Sequence, residues 1–383
     1  MEFRFTAEQV AIGDAARSFF ARHATPKKLQ SYVAAPTPMD ESLWQAVTLE
    51  LGWPGVAVPE SMGGAGLTAV ELAILMQESG AALAPIPLFA TAAMAIPAIL
   101  AAATLPQQSD LIPPILAGAP ATLCFTNEHG TPGPKGITAE LHRQGATYCL
   151  TGQSGFVPHA AAAKTLIIAC RAPNSRNAEG LSLIALPSTQ PGLHQTHHTT
   201  LDLTRPYSTI RYQNIEIPQS AILGTPESAA PAFQQTLSFA AAMLAAEQLG
   251  GAERVLALSL DHAKTRIQFN RPIGSFQAMK HKLADMLLLV ESARSAAYYA
   301  ACTAAESPEN LAEAASIARA YCSEAFSKCA AEAIQIHGGM GFTWDHPAHL
   351  YFKRARAAAT LLGDPTYHRE KIAQLMGLTE AAA

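Results

Sequence analysis

The sequence predicts an α+β fold in which helices, then strands, then helices again follow one another along the chain. Three observations predict it. Apolar residues recur at helical spacing from Thr6 to about Ala117. Near Ala121 short β-prone runs set between turn signals replace them. After Pro226 an Ala/Leu-rich helical texture returns. Residues 1–118 are therefore expected to form an N-terminal α-helical domain, 119–225 a middle β-domain, and 226–383 a C-terminal helical bundle.

Each element has its own signal. FTAEQVAIGDAARSFFARHA carries the first helix, and Thr6 with Gln9 three residues on forms a capping box. Proline and glycine interrupt the helices at LGWPGVAVPESMGGAGL, Leu51 to Leu67. Thr68 then caps ELAILMQESGAALA, with Glu71 in the reciprocal position. Ser79 to Gln108 carries no charge and imitates a membrane span. Pro85, Pro87, Pro97 and Pro106 break it, so two short buried helices are expected instead. ATLCFT, TYCLTG, TLIIAC, LSLIALP and TIRYQNIEIP read as strands of an antiparallel sheet or small barrel. The helices after Pro226 exceed the usual length, which indicates a bundle.

Composition excludes some functions. The chain has 383 residues, 49% hydrophobic and 15% charged, enough to bury a large core. Its net charge of −4 and lack of a basic run argue against nucleic acid as a partner. Six cysteines occur without a C-x-x-C pair, as expected of reduced thiols in a cytoplasmic protein. Glu2, Arg4 and Glu8 interrupt the N-terminus where a secretory leader would need an apolar core. His346 and His349 follow His337, but no further ligand has convincing spacing. No metal is expected, and these histidines read as structural. His197 and His198 read as solvent-facing.

Two motifs carry chemistry. QIHGGMGF, Gln335 to Phe342, sets glycines where backbone can approach a ligand closely. The order differs from a G-x-G-x-x-G dinucleotide site, which follows a strand and opens a helix. RIQFNRPIGSFQ, Arg266 to Gln277, follows a long helix. The planar fork of Arg266 suits a diphosphate, although a solvated arginine at a helix end looks the same.

These motifs, with LGWPGVAVPESMGGAGL and DLTRPYSTIRYQNIEIPQSAILG (Asp202 to Gly224), resemble the acyl-CoA dehydrogenase family of flavoproteins. They keep the family's order over essentially the whole chain. The resemblance implies an N-terminal helical domain, a middle β-barrel or sandwich, and a C-terminal four-helix bundle. It implies FAD between β-domain and bundle, with its adenylate end reaching a neighbouring subunit. On that carry-over Arg266 contacts the diphosphate, Phe269 and Gln277 line the same groove, and Gln335, Gly338 and Gly339 receive the adenine end. LCFTNEHG resembles the family's strand ending in Thr-Glu-Pro-x-x-Gly, which makes Thr126 a flavin contact, though Asn127 intervenes and the proline is absent. GQSGFVPH resembles Gly-Gln-Lys-x-Trp-Ile-Thr-Asn. Phe156 stands for the flavin-facing tryptophan, and Pro158 for a threonine that would donate to the flavin.

The family reaction needs a carboxylate to remove a proton from Cα of an acyl-CoA thioester while hydride leaves Cβ for the flavin. Leu362, before Gly363, occupies the usual base position, and Ala240 the alternative one. Two acids remain as candidates. Glu247 lies two helical turns beyond Ala240, on the same face, with no other charge between Ser238 and Gly251. Asp364 is a second candidate base, or else a helix cap. Leu362 keeps the backbone N–H that would bind the thioester oxygen. Ala357, Ala358, Ala359 and Leu361 replace bulkier residues, leaving room for a branched or steroid-like acyl group. This pattern resembles the bacterial subgroup acting on steroid side chains, often as α2β2 assemblies. Two readings follow. In one, the chain is an acyl-CoA dehydrogenase, in a homo-oligomer or α2β2 assembly, using Glu247 and passing electrons to an electron-transfer flavoprotein. In the other, it is a non-catalytic partner subunit that lends Arg266 and Gln335 to a neighbour's FAD.

Overall fold

Both capping boxes form where the sequence places them. The Gln9 backbone N–H donates to the Thr6 hydroxyl at 3.2 Å, and the Gln9 side chain accepts from the Thr6 N–H at 3.0 Å. This opens α1, Ala7–His23, in a computed structural model that describes residues 4–378; Glu2 lies outside them. Helix α2 (Pro26–Ala34) and helix α3 (Glu41–Gln45) follow, the latter running on into a wider turn, Ala46–Glu50. The Thr68–Glu71 box opens α4 (Ala69–Ala81), and Gln9 donates to Glu71 Oε1 at 2.8 Å, tying the two helix starts together.

Most of the uncharged stretch is buried inside the protein. Its helical run Phe89–Ala95 passes straight into α5 (Ile96–Ala102), and α6 (Leu105–Leu116) follows. Among the described residues no helix is long and apolar enough to cross a membrane.

Seven strands build the middle region: β1 (Ala121–Cys124), β2 (Glu140–Gln144), β3 (Thr147–Pro158), β4 (Thr165–Arg171), β5 (Leu181–Pro187), β6 (Leu193–His197) and β7 (Tyr207–Pro218). They pair in the order β1-β4-β2-β3-β7-β6, with β5 on β4. The sheet is mixed, which corrects the antiparallel expectation. Strands β1 and β4 run parallel from Ala121↔Thr165 to Cys124↔Ile168, and Glu140 meets Arg171 in a parallel pair. Parallel neighbours need a crossover, here made by β2 and β3, and short apolar runs carry no mark of strand direction. Alternation along β4 serves two cores. Ile167 and Ala169 join the helical core, whereas Leu166, Ile168 and Cys170 face a second core inside the β-region.

The C-terminal helices are α7 (Ala230–Thr265), α8 (Gln277–Glu306), α9 (Leu311–His337), α10 (Ala348–Thr360) and α11 (Pro365–Leu375). A two-residue pairing, β8 (Ile267–Gln268) with β9 (Arg271–Pro272), joins α7 to α8. Helix α4 lies directly on α7. A Cβ added at Gly80 would stand 2.0 Å from the Glu247 carbonyl oxygen, and one at Gly250 would stand 1.8 Å from that of Gln77. Only glycine permits this approach, so α4 and α7 share one continuous core.

Candidate functional site

A cavity of about 340 Å³ opens between the sheet and the turn joining α10 to α11. Phe125, Thr126, Phe156 and Pro158 form its sheet side, and Leu362 lies opposite. An irregularity in the β3–β7 register between Ser154 and Val157 presents Phe156, whose backbone is left-handed at φ +46°. The Phe156 ring stacks on His198 at 5.4 Å. His198, expected to face solvent, is instead half-buried and bonded to the Thr209 hydroxyl at 2.8 Å. The Thr126 hydroxyl donates to the Gly155 carbonyl, so its proton is engaged within the sheet. Pro158 has no N–H to offer.

A buried guanidinium shapes the opposite wall. Arg319 is fully buried, and its Nη2 donates to the carbonyl oxygens of Ala358 at 3.1 Å, Leu361 at 2.7 Å and Gly363 at 3.2 Å. Its Nη1 donates to the Ser323 hydroxyl at 2.7 Å and to the Gln248 side-chain oxygen. Burial pushes the Arg319 pKa down to about 10, which leaves it charged at neutral pH. The turn it grips is strained. Leu362 sits at φ +64°, a region that leucine rarely adopts. Among the described residues no backbone acceptor takes the Leu362 N–H.

Neither acid expected as base lines this cavity. Glu247 is buried, as its uncharged surroundings suggest, but its Oε1 accepts from Arg354 Nη1 at 2.9 Å and its Oε2 accepts from Arg205 Nη2. Arg354 also donates to Asp202 Oδ2 at 2.6 Å and to the Thr204 hydroxyl at 2.6 Å. Asp202 Oδ1 accepts from the Thr204 N–H at 2.9 Å and from its hydroxyl at 2.5 Å. Glu247 thus belongs to a buried ion network in which both its oxygens are engaged. Asp364 is exposed, and its Oδ1 accepts the Tyr367 N–H at 2.7 Å. It is the N-cap of α11, the other role its sequence allowed. Asp202 lines the cavity and was not singled out from the sequence, yet both its oxygens are engaged.

The remaining predicted residues gather elsewhere, at one end of the bundle. Arg266 follows α7, and Phe269 tops the β8–β9 hairpin, 86% exposed. Gln277 opens α8 and Gln335 lies in the last turn of α9, both exposed. Gly338 and Gly339 follow, and a Cβ on either would meet nothing within 4 Å. His262, four residues before Arg266, packs against His337, two residues after Gln335, with ring centroids 4.4 Å apart. The predicted cofactor contacts therefore form two groups: Thr126 and Phe156 in the cavity, and the other six outside it. Among the described residues Arg266 and Gln335 have no side-chain hydrogen-bond partner, and no cluster of three or more His, Cys, Asp or Glu is arranged to hold a metal. A free guanidinium, a free amide and bare glycine backbone form a donor set that fits the diphosphate and adenine of FAD. The cavity fits its ring system less well, because Thr126 is engaged and Pro158 lacks a donor.

Three histidines with lowered pKa values are expected to make the protein acid-sensitive. Burial pushes His159 and His368 down to about 3 and His346 down to about 4. Unfolded histidine titrates near pH 6.5. As pH falls below that value the unfolded chain takes up these protons first, so stability is lost between about pH 6.5 and 3. The melting temperature is expected to fall steadily over that window, and His368→Phe is expected to flatten part of the fall. A melting temperature unchanged from pH 6.5 to about 4.5 would contradict this.

Comparison with known proteins agrees with the fold. The family model for the acyl-CoA dehydrogenase N-terminal domain matches residues 6–119, and that for the C-terminal domain matches 230–377. Acyl-CoA dehydrogenase IpdE2 of Mycobacterium tuberculosis is 34% identical over 358 residues, covering 94% of each chain. One chain of the ChsE4-ChsE5 complex from Mycobacterium tuberculosis superimposes with a TM-score of 0.88 at 25% identity, covering all of this chain and all of that one. A variant of the Tcur3481-Tcur3483 steroid ACAD superimposes with a TM-score of 0.85 at 28% identity, covering 97% of this chain and 98% of that one.

Proposed function

The chain belongs to the acyl-CoA dehydrogenase family of FAD-dependent flavoproteins, and from that premise we propose that it is the subunit without a base in a heteromeric acyl-CoA dehydrogenase. One observation carries this reading. Leu362, which the family resemblance sets at the base position, lines the cavity, while Glu247 is held by two guanidinium groups and Asp364 by a helix N-terminus. An aliphatic side chain cannot accept the Cα proton.

In such an assembly the proton-abstracting carboxylate belongs to a second polypeptide. Bound FAD supplies the hydride acceptor. This chain's part is to hold the cofactor where the two subunits meet: Arg266 grips the diphosphate, Phe269 and Gln277 line the groove, and Gln335 with Gly338 and Gly339 receives the adenine. The substrate class is a bulky, steroid-like or branched acyl-CoA, in keeping with Ala357 and Leu361 on the cavity wall and with the steroid ACAD among the similar structures. Electrons pass on to an electron-transfer flavoprotein. Six buried free thiols suit a cytoplasmic setting.

Flavin stoichiometry tests the proposal. The assembly purified with its co-expressed partner is expected to hold one FAD for every two chains and to be bleached by acyl-CoA. The chain purified alone, carrying one FAD per chain and bleached by substrate, would overturn it.

A further inference from the structure

Three imidazoles from three separate segments pack together at the bundle end, their planes tilted by 32° and 42°. His337, the last residue of α9, lies against His262 of α7 at 4.4 Å and against His346 of the loop before α10 at 4.2 Å. His337 is buried, and its Nδ1 lies 2.7 Å from the Ala333 carbonyl oxygen, which fixes the ring and places a proton on Nδ1.

The outer rings connect to the predicted clamp. The His262 carbonyl accepts the Arg266 N–H at 2.8 Å, and the Arg266 carbonyl accepts the Ile273 N–H at 2.9 Å, closing the hairpin that carries Phe269. On the α9 side, the Gln335 carbonyl accepts the Gly338 N–H that ends the helix. Each clamp residue is thus one backbone hydrogen bond or two residues from a ring of this cluster. His346 anchors the third side. Its Nδ1 accepts the Ala348 N–H at 3.2 Å, and Gln30 of α2 holds its loop by donating to the Asp345 carbonyl at 2.9 Å. Burial and the neighbouring rings lower the pKa of His262 and His346.

We propose that His337 is a positioning residue that sets the spacing between Arg266 and Gln335, so that one guanidinium and one amide address the two ends of an adenosine diphosphate group. The inference rests on reading the bundle end as the dinucleotide clamp. A ring at position 337 holds the ends of α7 and α9 at a fixed separation, while the open flank of Gly338 and Gly339 leaves room for the ligand. Truncation removes the spacer without touching either clamp side chain.

The experiment measures FAD affinity of the purified assembly, with ADP as competing probe and apo-assembly melting as control for folding. His337→Ala is expected to weaken both FAD and ADP by about tenfold or more, in an apo-assembly that still melts cooperatively, if at a lower temperature. His337→Phe, which keeps a flat ring, is expected to stay within about threefold of wild type. In an Arg266→Ala background His337→Ala should add less than about threefold, because it acts through that arginine. Unchanged affinity in His337→Ala, equal loss in His337→Phe, or full additivity with Arg266→Ala would overturn the proposal. If Arg266→Ala itself leaves affinity intact, the clamp reading fails instead.

Discussion

Glu247→Gln is expected to destabilise the chain by about 3–5 kcal/mol, the usual consequence of removing one partner from a buried ion pair. Glutamine preserves the volume, so packing against α4 is undisturbed and the effect reports charge. Arg354 would keep Asp202 as its counter-charge, Arg205 would lose its only carboxylate partner among the described residues, and the new amide would point N–H groups at donors. Urea unfolding of the two proteins measures the difference. Converting Arg205 and Glu247 together to Met should recover part of the loss, since the charges are then removed as a set. The opposite outcome is equally readable. Stability within about 1 kcal/mol of wild type, together with loss of substrate-dependent bleaching, would return Glu247 to the role of base.

Arg266→Ala is expected to lower the FAD affinity of the assembly by about a hundredfold. Charge-assisted hydrogen bonds to phosphate contribute roughly 1.5–3 kcal/mol each, and each 1.4 kcal/mol is tenfold in affinity. Arg266→Lys keeps the charge and loses the fork, so a loss of about tenfold is expected. Flavin absorbance retained after gel filtration checks both. No effect on folding is anticipated, because Arg266 is exposed. An alanine variant that keeps its yellow colour on dilution would remove Arg266 from the clamp.

The order of helices and strands was legible because it is local. A threonine with a glutamine or glutamate three residues on writes a helix start into four positions, as at Thr6 and Thr68. Asp364 was legible as a cap for the same reason, with Pro365 behind it. Strand direction was not, since Ala121 and Thr165 meet across a crossover that leaves no local trace. The ion network was hidden for a similar reason. Arg354 reaches Asp202 across 152 positions and Glu247 across 107. A lone acid in an apolar helix looks alike whether it awaits a proton or is already paired. Arg319 did leave a trace: it is the one cation between Leu311 and Ser327 in an alanine-rich helix. A solitary buried cation must find acceptors, and the ends of a neighbouring helix supply them.

That grip has a consequence for position 362. Arg319 seizes the bend by its peptide oxygens alone, so the frame is indifferent to what it displays. The seat at 362 is interchangeable: residues that tolerate a left-handed backbone can be swapped there while the surrounding scaffold keeps its form. Chemistry can leave such a seat, or be reinstalled in it, without the protein having to be rebuilt.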